Sequence, residues 1–124
     1  MFAEGNVIAT IAVEKLDEGK QFYQGMLGLQ QLNETPAGVT YQCGTGKLFI
    51  YQALTSGTNQ ATSASWEVTD VDGTVAELQS KGISFEEYDM PGSTREGVVS
   101  VMGTIRAAWF KDPDGNTLAV VSAS

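Results

Sequence analysis

Histidine is absent from the 124 residues. Without it the chain has neither the commonest general base nor the commonest side-chain ligand for transition metals, and no partner to activate a serine or cysteine nucleophile. Ser-His-Asp and Cys-His catalysis are therefore excluded. Cysteine occurs once, as Cys43, so neither an internal disulfide nor a thiolate metal cluster can form, which suits a reducing compartment. Cys43 itself reads as a small strand or core residue. Basic residues are few: 7 Lys and Arg stand against 15 Asp and Glu, for a formal charge of -8 and a pI near 4.3. Such a surface repels phosphate backbones and anionic membranes, which argues against nucleic acid and membrane partners. No apolar run approaches the roughly 20 residues that cross a bilayer. The first residues, MFAEGNVIATIAVE, lack a basic region and a cleavage pattern, and the chain reads as soluble and cytoplasmic.

What is present is enough apolar residue for one core. At 42% hydrophobic and 18% charged, residues 1–124 are expected to form a single domain. Residues 6–13 (NVIATIAV) are β-branched and alternate, which predicts a strand. Leu16, residues 21–23 and residues 26–27 then recur at helical spacing until Gly28 stops the pattern. Residues 29–33, 39–43 and 48–52 read as three strands, separated by the turn formers Pro36-Ala37-Gly38 and Gly44-Thr45-Gly46. The polar segment 55–62 (TSGTNQAT) has no apolar face and reads as the connection between two halves.

The order then repeats. Residues 63–68 predict a strand, residues 71–81 an amphipathic helix with Val71, Val75 and Leu78 on one face, and residues 83–88 a further strand after Gly82. At residue level, Val13-x-x-Leu16-Asp17 matches Val68-x-x-Val71-Asp72, and Leu27-Gly28-Leu29 matches Lys81-Gly82-Ile83. Each half closes in a hairpin, the second around Asp112-Pro113-Asp114-Gly115-Asn116, where proline presets φ and Asp-Gly accepts a positive φ. The prediction is a tandem βαβββ repeat, with modules at about 5–54 and 61–123 and a linker at about 55–60. The stretch 89–106 opens with Pro91-Gly92 and carries a strand-like run at 98–102; it is expected to be a loop covering a pocket.

This tandem repeat resembles the vicinal oxygen chelate superfamily, the glyoxalase, bleomycin-resistance and dioxygenase group. The carriers are Phe22-Tyr23-x-x-Met26-Leu27-Gly28-Leu29, Val68-x-Asp70-Val71-Asp72 and Phe110-x-Asp112-Pro113-Asp114-Gly115-Asn116. The resemblance implies an α+β fold in which the two modules form a curled mixed-sheet cup with helices outside, and a homodimer. It also implies a divalent metal held by His, Gln or Glu on the strands. By register against the motifs, those positions fall at about Ile8, Ser63, 49–51 and Ala119. Isoleucine, serine, an aromatic stretch and alanine do not chelate a divalent metal, and neighbouring Asn6, Thr10 and Thr117 supply only neutral oxygens. No metal and no cofactor are therefore expected.

The remaining candidates are the residues of a cup wall: Tyr41, Phe49 or Tyr51, Trp66, Met102 and Trp109. Trp66 and Trp109 are expected at comparable positions of the second module. Arg95 and Arg106 are candidates for anchoring a carboxylate or phosphate. Glu67 neighbours Trp66, so strand alternation sends only one of the two into the cup; an inward Glu67 is the candidate general base, with Glu14 as an alternative acid. Asp17, Glu18, Asp70 and Asp72 read as helix caps and first-turn charges. The expected function is metal-free binding of an aromatic or amphipathic small molecule, in the manner of bleomycin-resistance proteins, with a metal-independent lyase or isomerase as the alternative.

Overall fold

The β-branched run near the start pairs as β1 (Ala9–Val13), and Leu16 opens the helical segment α1 (Leu16–Lys20). This is a computed structural model, and it describes residues 2–53, 56–89 and 92–122. The last helical turns widen into a π-helical segment, Gln21–Met26, closed by the Leu27 amide bonding to the Phe22 carbonyl at 2.9 Å. Gly28 then leaves the helix at φ 74°. Three strands follow: β2 (Gln30–Thr35), β3 (Gly38–Cys43) and β4 (Gly46–Gln52). They build a four-stranded sheet in the order β1-β4-β3-β2, with β1 parallel to β4.

The second half begins with β5 (Thr62–Glu67) and α2 (Val71–Ser80). Asp70 caps α2, accepting from the Gly73 amide at 3.0 Å. Here the structure departs from a plain repeat. The strand predicted at 83–88 shrinks to β6 (Phe85–Glu86), and the predicted covering loop is instead a hairpin of β7 (Thr94–Glu96) and β8 (Val99–Met102). β8 pairs with β9 (Ile105–Lys111), which also carries β6 and pairs with β10 (Thr117–Ser122). The segment extends the sheet edge because the alternating 98–102 run finds a partner strand beside β9. Pro91, expected to open the loop, lies outside the described residues, as do positions 54, 55 and 123 at the expected module limits. The second sheet runs β5-β10-β9-β8-β7, with β5 parallel to β10. The fold is mixed α+β, two open mixed sheets with two short helices.

One core serves both halves. Ile11, Val13, Leu48 and Ile50 of the first sheet join Leu118, Val120, Ala108 and Phe110 of the second in a single buried cluster under the helices. Phe22 lies 6.3 Å from Phe110 between ring centroids, and Phe110 lies 5.3 Å from Phe85. The polar join is the 112–116 turn. The buried Asp112 carboxylate accepts from the Tyr23 hydroxyl at 2.7 Å, and from the Asn116 side-chain amide, the Asn116 backbone and the Asp114 backbone at 2.8–2.9 Å. Asn116 Nδ2 also donates to the Ala12 carbonyl at 2.8 Å, and the Glu14 amide donates to Asp114 Oδ1 at 2.8 Å.

Burial pushes the Tyr23 phenol well above its ordinary value of 10.0, and the Asp112 charge reinforces the shift. A group held protonated more tightly in the folded state contributes stability that is complete below its unfolded pKa and is lost as pH climbs past it. Stability is therefore expected to fall above about pH 10, with buried Tyr41 shifted in the same direction. Tyr23→Phe should flatten part of that alkaline decline. At pH 7 it should cost about 1.5–3 kcal/mol for the lost bond to a charged acceptor, read from urea midpoints at constant m.

Candidate functional site

Strand alternation, together with the shared core, defines the other face of the sheets. Val39, Tyr41, Leu48 and Ile50 are paired across β3 and β4 and buried, so the alternate residues Thr40, Phe49 and Tyr51 point away from the helices. In the second sheet Leu118 pairs with Phe110 and Val120 with Ala108 on the core side. Ser65, Ala119 and Trp109 form the adjoining row on the opposite side, and Glu67, Val121 and Ala107 the next. Because both helix-side faces share one core, both opposite faces lie on one side of the molecule, hereafter the open face.

Two aromatic clusters sit there. Phe49 and Tyr51 stack at 6.1 Å with planes 10° apart, and Trp109 meets Tyr88 edge-on at 5.4 Å. All four are half-buried. Between them the strands β1, β5 and β10 present small side chains, among them Thr10, Ala12, Ser65 and Ala119. The arrangement is a floor of small residues between aromatic groups, suited to contact with a flat or apolar molecule.

The sequence-predicted residues divide between the two faces. Tyr51, Trp109 and Glu67 lie on the open face; Met102, paired with Ile105, and Arg95, paired with Ser100, share it at the hairpin edge. Tyr41, Trp66 and Arg106 do not. Tyr41 is fully buried in the core, because its parity in β3 is that of Val39. Trp66 pairs with Val120 and packs on the core side, opposite Trp109 rather than comparable with it. It lines a groove of about 380 Å³ at the seam of the sheets, beside Cys43, Ala9 and Glu67. It also lines a crevice of about 140 Å³ facing α2. Burial raises the Cys43 thiol, and a hydrogen bond with Trp66 opposes that shift.

Arg106 faces α2, where it bonds Asp72 at 2.9 Å and Glu96 at 3.0 Å. It joins a helix to the edge hairpin and has no path to the open face. Arg95 lies 3.4 Å from Glu87 and 3.7 Å from Asp89. Glu67 is exposed, so the enclosure expected around a buried base is not formed within one chain. Tyr88 was not foreseen as a site residue; continuing the β6 alternation from Glu86, which pairs with Trp109, places it on the open face.

The implied metal positions do not fit a metal. Ala119 lies on the open face beside Ser65, Phe49 and Tyr51 share that face, and Ile8, half open to solvent, precedes β1. None offers an imidazole or a carboxylate. Among the described residues, no three or more His, Cys, Asp or Glu side chains gather in a group able to hold a metal ion.

Each half pairs its first strand in parallel with its last, with helices on one side and an open opposite face. The sequence profile of the Glyoxalase/Bleomycin resistance protein/Dioxygenase superfamily matches residues 6–120, and the chain belongs to that superfamily. No curated protein matches the sequence. Among solved structures, TnmS3, an antibiotic binding protein from Streptomyces sp. CB03234, superposes with a TM-score of 0.74 at 21% identity, covering 100% of this chain and 99% of that one. A glyoxalase/bleomycin resistance protein/dioxygenase from Alicyclobacillus acidocaldarius gives 0.71 at 17%, covering 96% and 91%. Lactoylglutathione lyase from Agrobacterium tumefaciens gives 0.70 at 16%, covering 96% and 93%. At these identities the likeness is one of fold. Among the described residues no helix is long and apolar enough to cross a membrane.

The hydroxyl of Tyr41 is buried with no hydrogen-bond partner among the described residues. Removing an unsatisfied buried hydroxyl relieves its desolvation cost. Tyr41→Phe is therefore expected to leave stability unchanged or to raise it by about 1 kcal/mol, and to leave ligand affinity alone. A thermal or urea melt beside a binding titration checks both.

Proposed function

We propose that this chain binds a flat aromatic or amphipathic small molecule on the open face and holds it by burial and stacking, without a metal. The observation that carries the reading is the exchange of chemistry at one place. The positions where the family's metal ligands are implied hold Ile8, Ser63, an aromatic stretch and Ala119, while Phe49, Tyr51, Tyr88 and Trp109 stand half-buried on the same face. Each buried aromatic offers roughly 150–250 Å² of contact. Sequestration or carriage follows from such a surface. Superposition on an antibiotic binding protein supports the reading at the level of fold.

A homodimer belongs to this proposal. Met102 and Ile105 are 44% and 45% exposed on the open face at the hairpin edge, and a second copy would enclose that side. The alternative, a metal-independent lyase or isomerase working through Glu67, requires enclosure of a carboxylate that is exposed in the single chain, and no specific observation favours it.

Native mass spectrometry of freshly purified protein, repeated after excess Zn²⁺ or Mn²⁺, tests the reading. A dimer mass, an organic adduct or uptake of an added polycyclic dye, and no stoichiometric metal are expected. Tight stoichiometric metal would overturn it. Trp109→Ala should weaken dye binding about tenfold, the order of one lost aromatic contact, while Trp66→Phe should leave it unchanged.

A further inference from the structure

Among the described residues the two sheets share no ladder hydrogen bonds. β1 and β5 lie side by side at the seam, yet every ladder pairing stays within its own half. What the halves share is an apolar core, and hydrophobic burial has no direction. A core of that kind resists separation but does not by itself fix how far one sheet slides or rotates against the other. Most directional contacts across the join come from the 112–116 turn; the others are Lys81 Nζ donating to the Met26 carbonyl at 3.1 Å and the hydrogen bond between Cys43 and Trp66.

From that turn, Asp112 accepts from Tyr23 of the first helical segment, Asn116 donates to the Ala12 carbonyl on β1, and Asp114 accepts from the Glu14 amide just beyond β1. The same turn holds the connection between the halves: Asp114 Oδ1 also accepts from Ser56 Oγ at 2.9 Å, and Asn116 Oδ1 accepts from the Gly57 amide at 3.2 Å. Gly57, at φ +69°, lies so close that a Cβ there would fall 1.7 Å from the Asp114 carbonyl oxygen. Ala12, which receives the Asn116 bond, is also the β1 residue paired with Tyr51 of the first aromatic cluster. Asn116 immediately precedes β10, which pairs with the strand carrying Trp109 of the second.

We propose that the 112–116 turn sets the spacing between the two aromatic clusters, so that residues which never touch the ligand determine how tightly it is held. Asp112, Asn116 and Tyr23 are positioning residues. This inference rests on the binding proposed above for the open face.

The test pairs a distance with an affinity. In a Cys43→Ala background, spin labels at Asn33→Cys on β2 and Thr94→Cys on β7, both exposed, report the separation of the outer strands of the two sheets by pulsed electron resonance. Binding is followed with Nile red, a neutral polycyclic dye. Asn116→Ala is expected to broaden or shift the label distance and to weaken Nile red about tenfold. Tyr23→Phe, a milder change, is expected to weaken it about threefold. Glu77→Gln, which breaks only an exposed ion pair with Lys81 at the end of α2, should alter neither readout.

An Asn116→Ala protein that keeps its circular dichroism, its label distance and its dye affinity overturns the proposal, and so does a shifted distance with unchanged affinity. If Asn116→Ala does not fold, Tyr23→Phe decides by the same two readouts. Failure of the unaltered chain to take up Nile red would instead overturn the binding reading itself, before any variant is compared.

Discussion

A buried carboxylate must find its donors within the protein, and Asp112 finds three in its own turn and one across the join between the halves. The Tyr23 hydroxyl reaches it from the first half of the chain, and Asn116 and Asp114 reach it from its own hairpin. Left without them, a charge in this position would carry a desolvation penalty of several kcal/mol. The contact therefore ties the turn to the first half: Tyr23 supplies one of the four donors that satisfy the carboxylate. Two sheets that share no ladder are joined by this contact, by hydrogen bonds from Lys81 to Met26 and between Cys43 and Trp66, and by the core beneath them.

The same contact explains why the two most recognisable segments of the sequence stand where they do. Phe22-Tyr23 and Phe110-x-Asp112 are 89 residues apart at their polar ends, yet their aromatic members touch in the core and their polar members meet at 2.7 Å. These motifs describe an interface between modules. They specify the architecture and leave the open face free, which is why superfamily membership coexists with a face carrying aromatics and small residues where metal ligands are implied.

The second half shows what the repeat conceals. Its final hairpin follows the first half closely, but its helix is ten α-helical residues capped by Asp70, where the first half has five α-helical residues without a side-chain cap followed by a π-helical segment. Between them, the strand equivalent to β2 is reduced to two residues, and the β7–β8 hairpin takes its place along β9. That hairpin is held by Arg95 to Glu87 and by Arg106 to Glu96 and Asp72. Two arginines that read as ligand anchors are thus engaged with the protein's own carboxylates. At the surface such pairs contribute little to stability; strand parity sets which side of the sheet each guanidinium occupies.

By itself the sequence determined most of the elements, the family and the absence of histidine chemistry, because hydrophobic period, turn chemistry and residue inventory are local properties of the chain. It also determined that Trp66 and Glu67 must part company, since neighbours on a strand face opposite ways. It did not determine which of them faces the core. That depends on which side the helices pack, and only the assembled sheets decided it: Trp66 against the core, Glu67 and Trp109 on the open face, Tyr41 buried beneath. Parity along a strand is local, but the identity of the buried face comes from contacts between residues far apart in sequence.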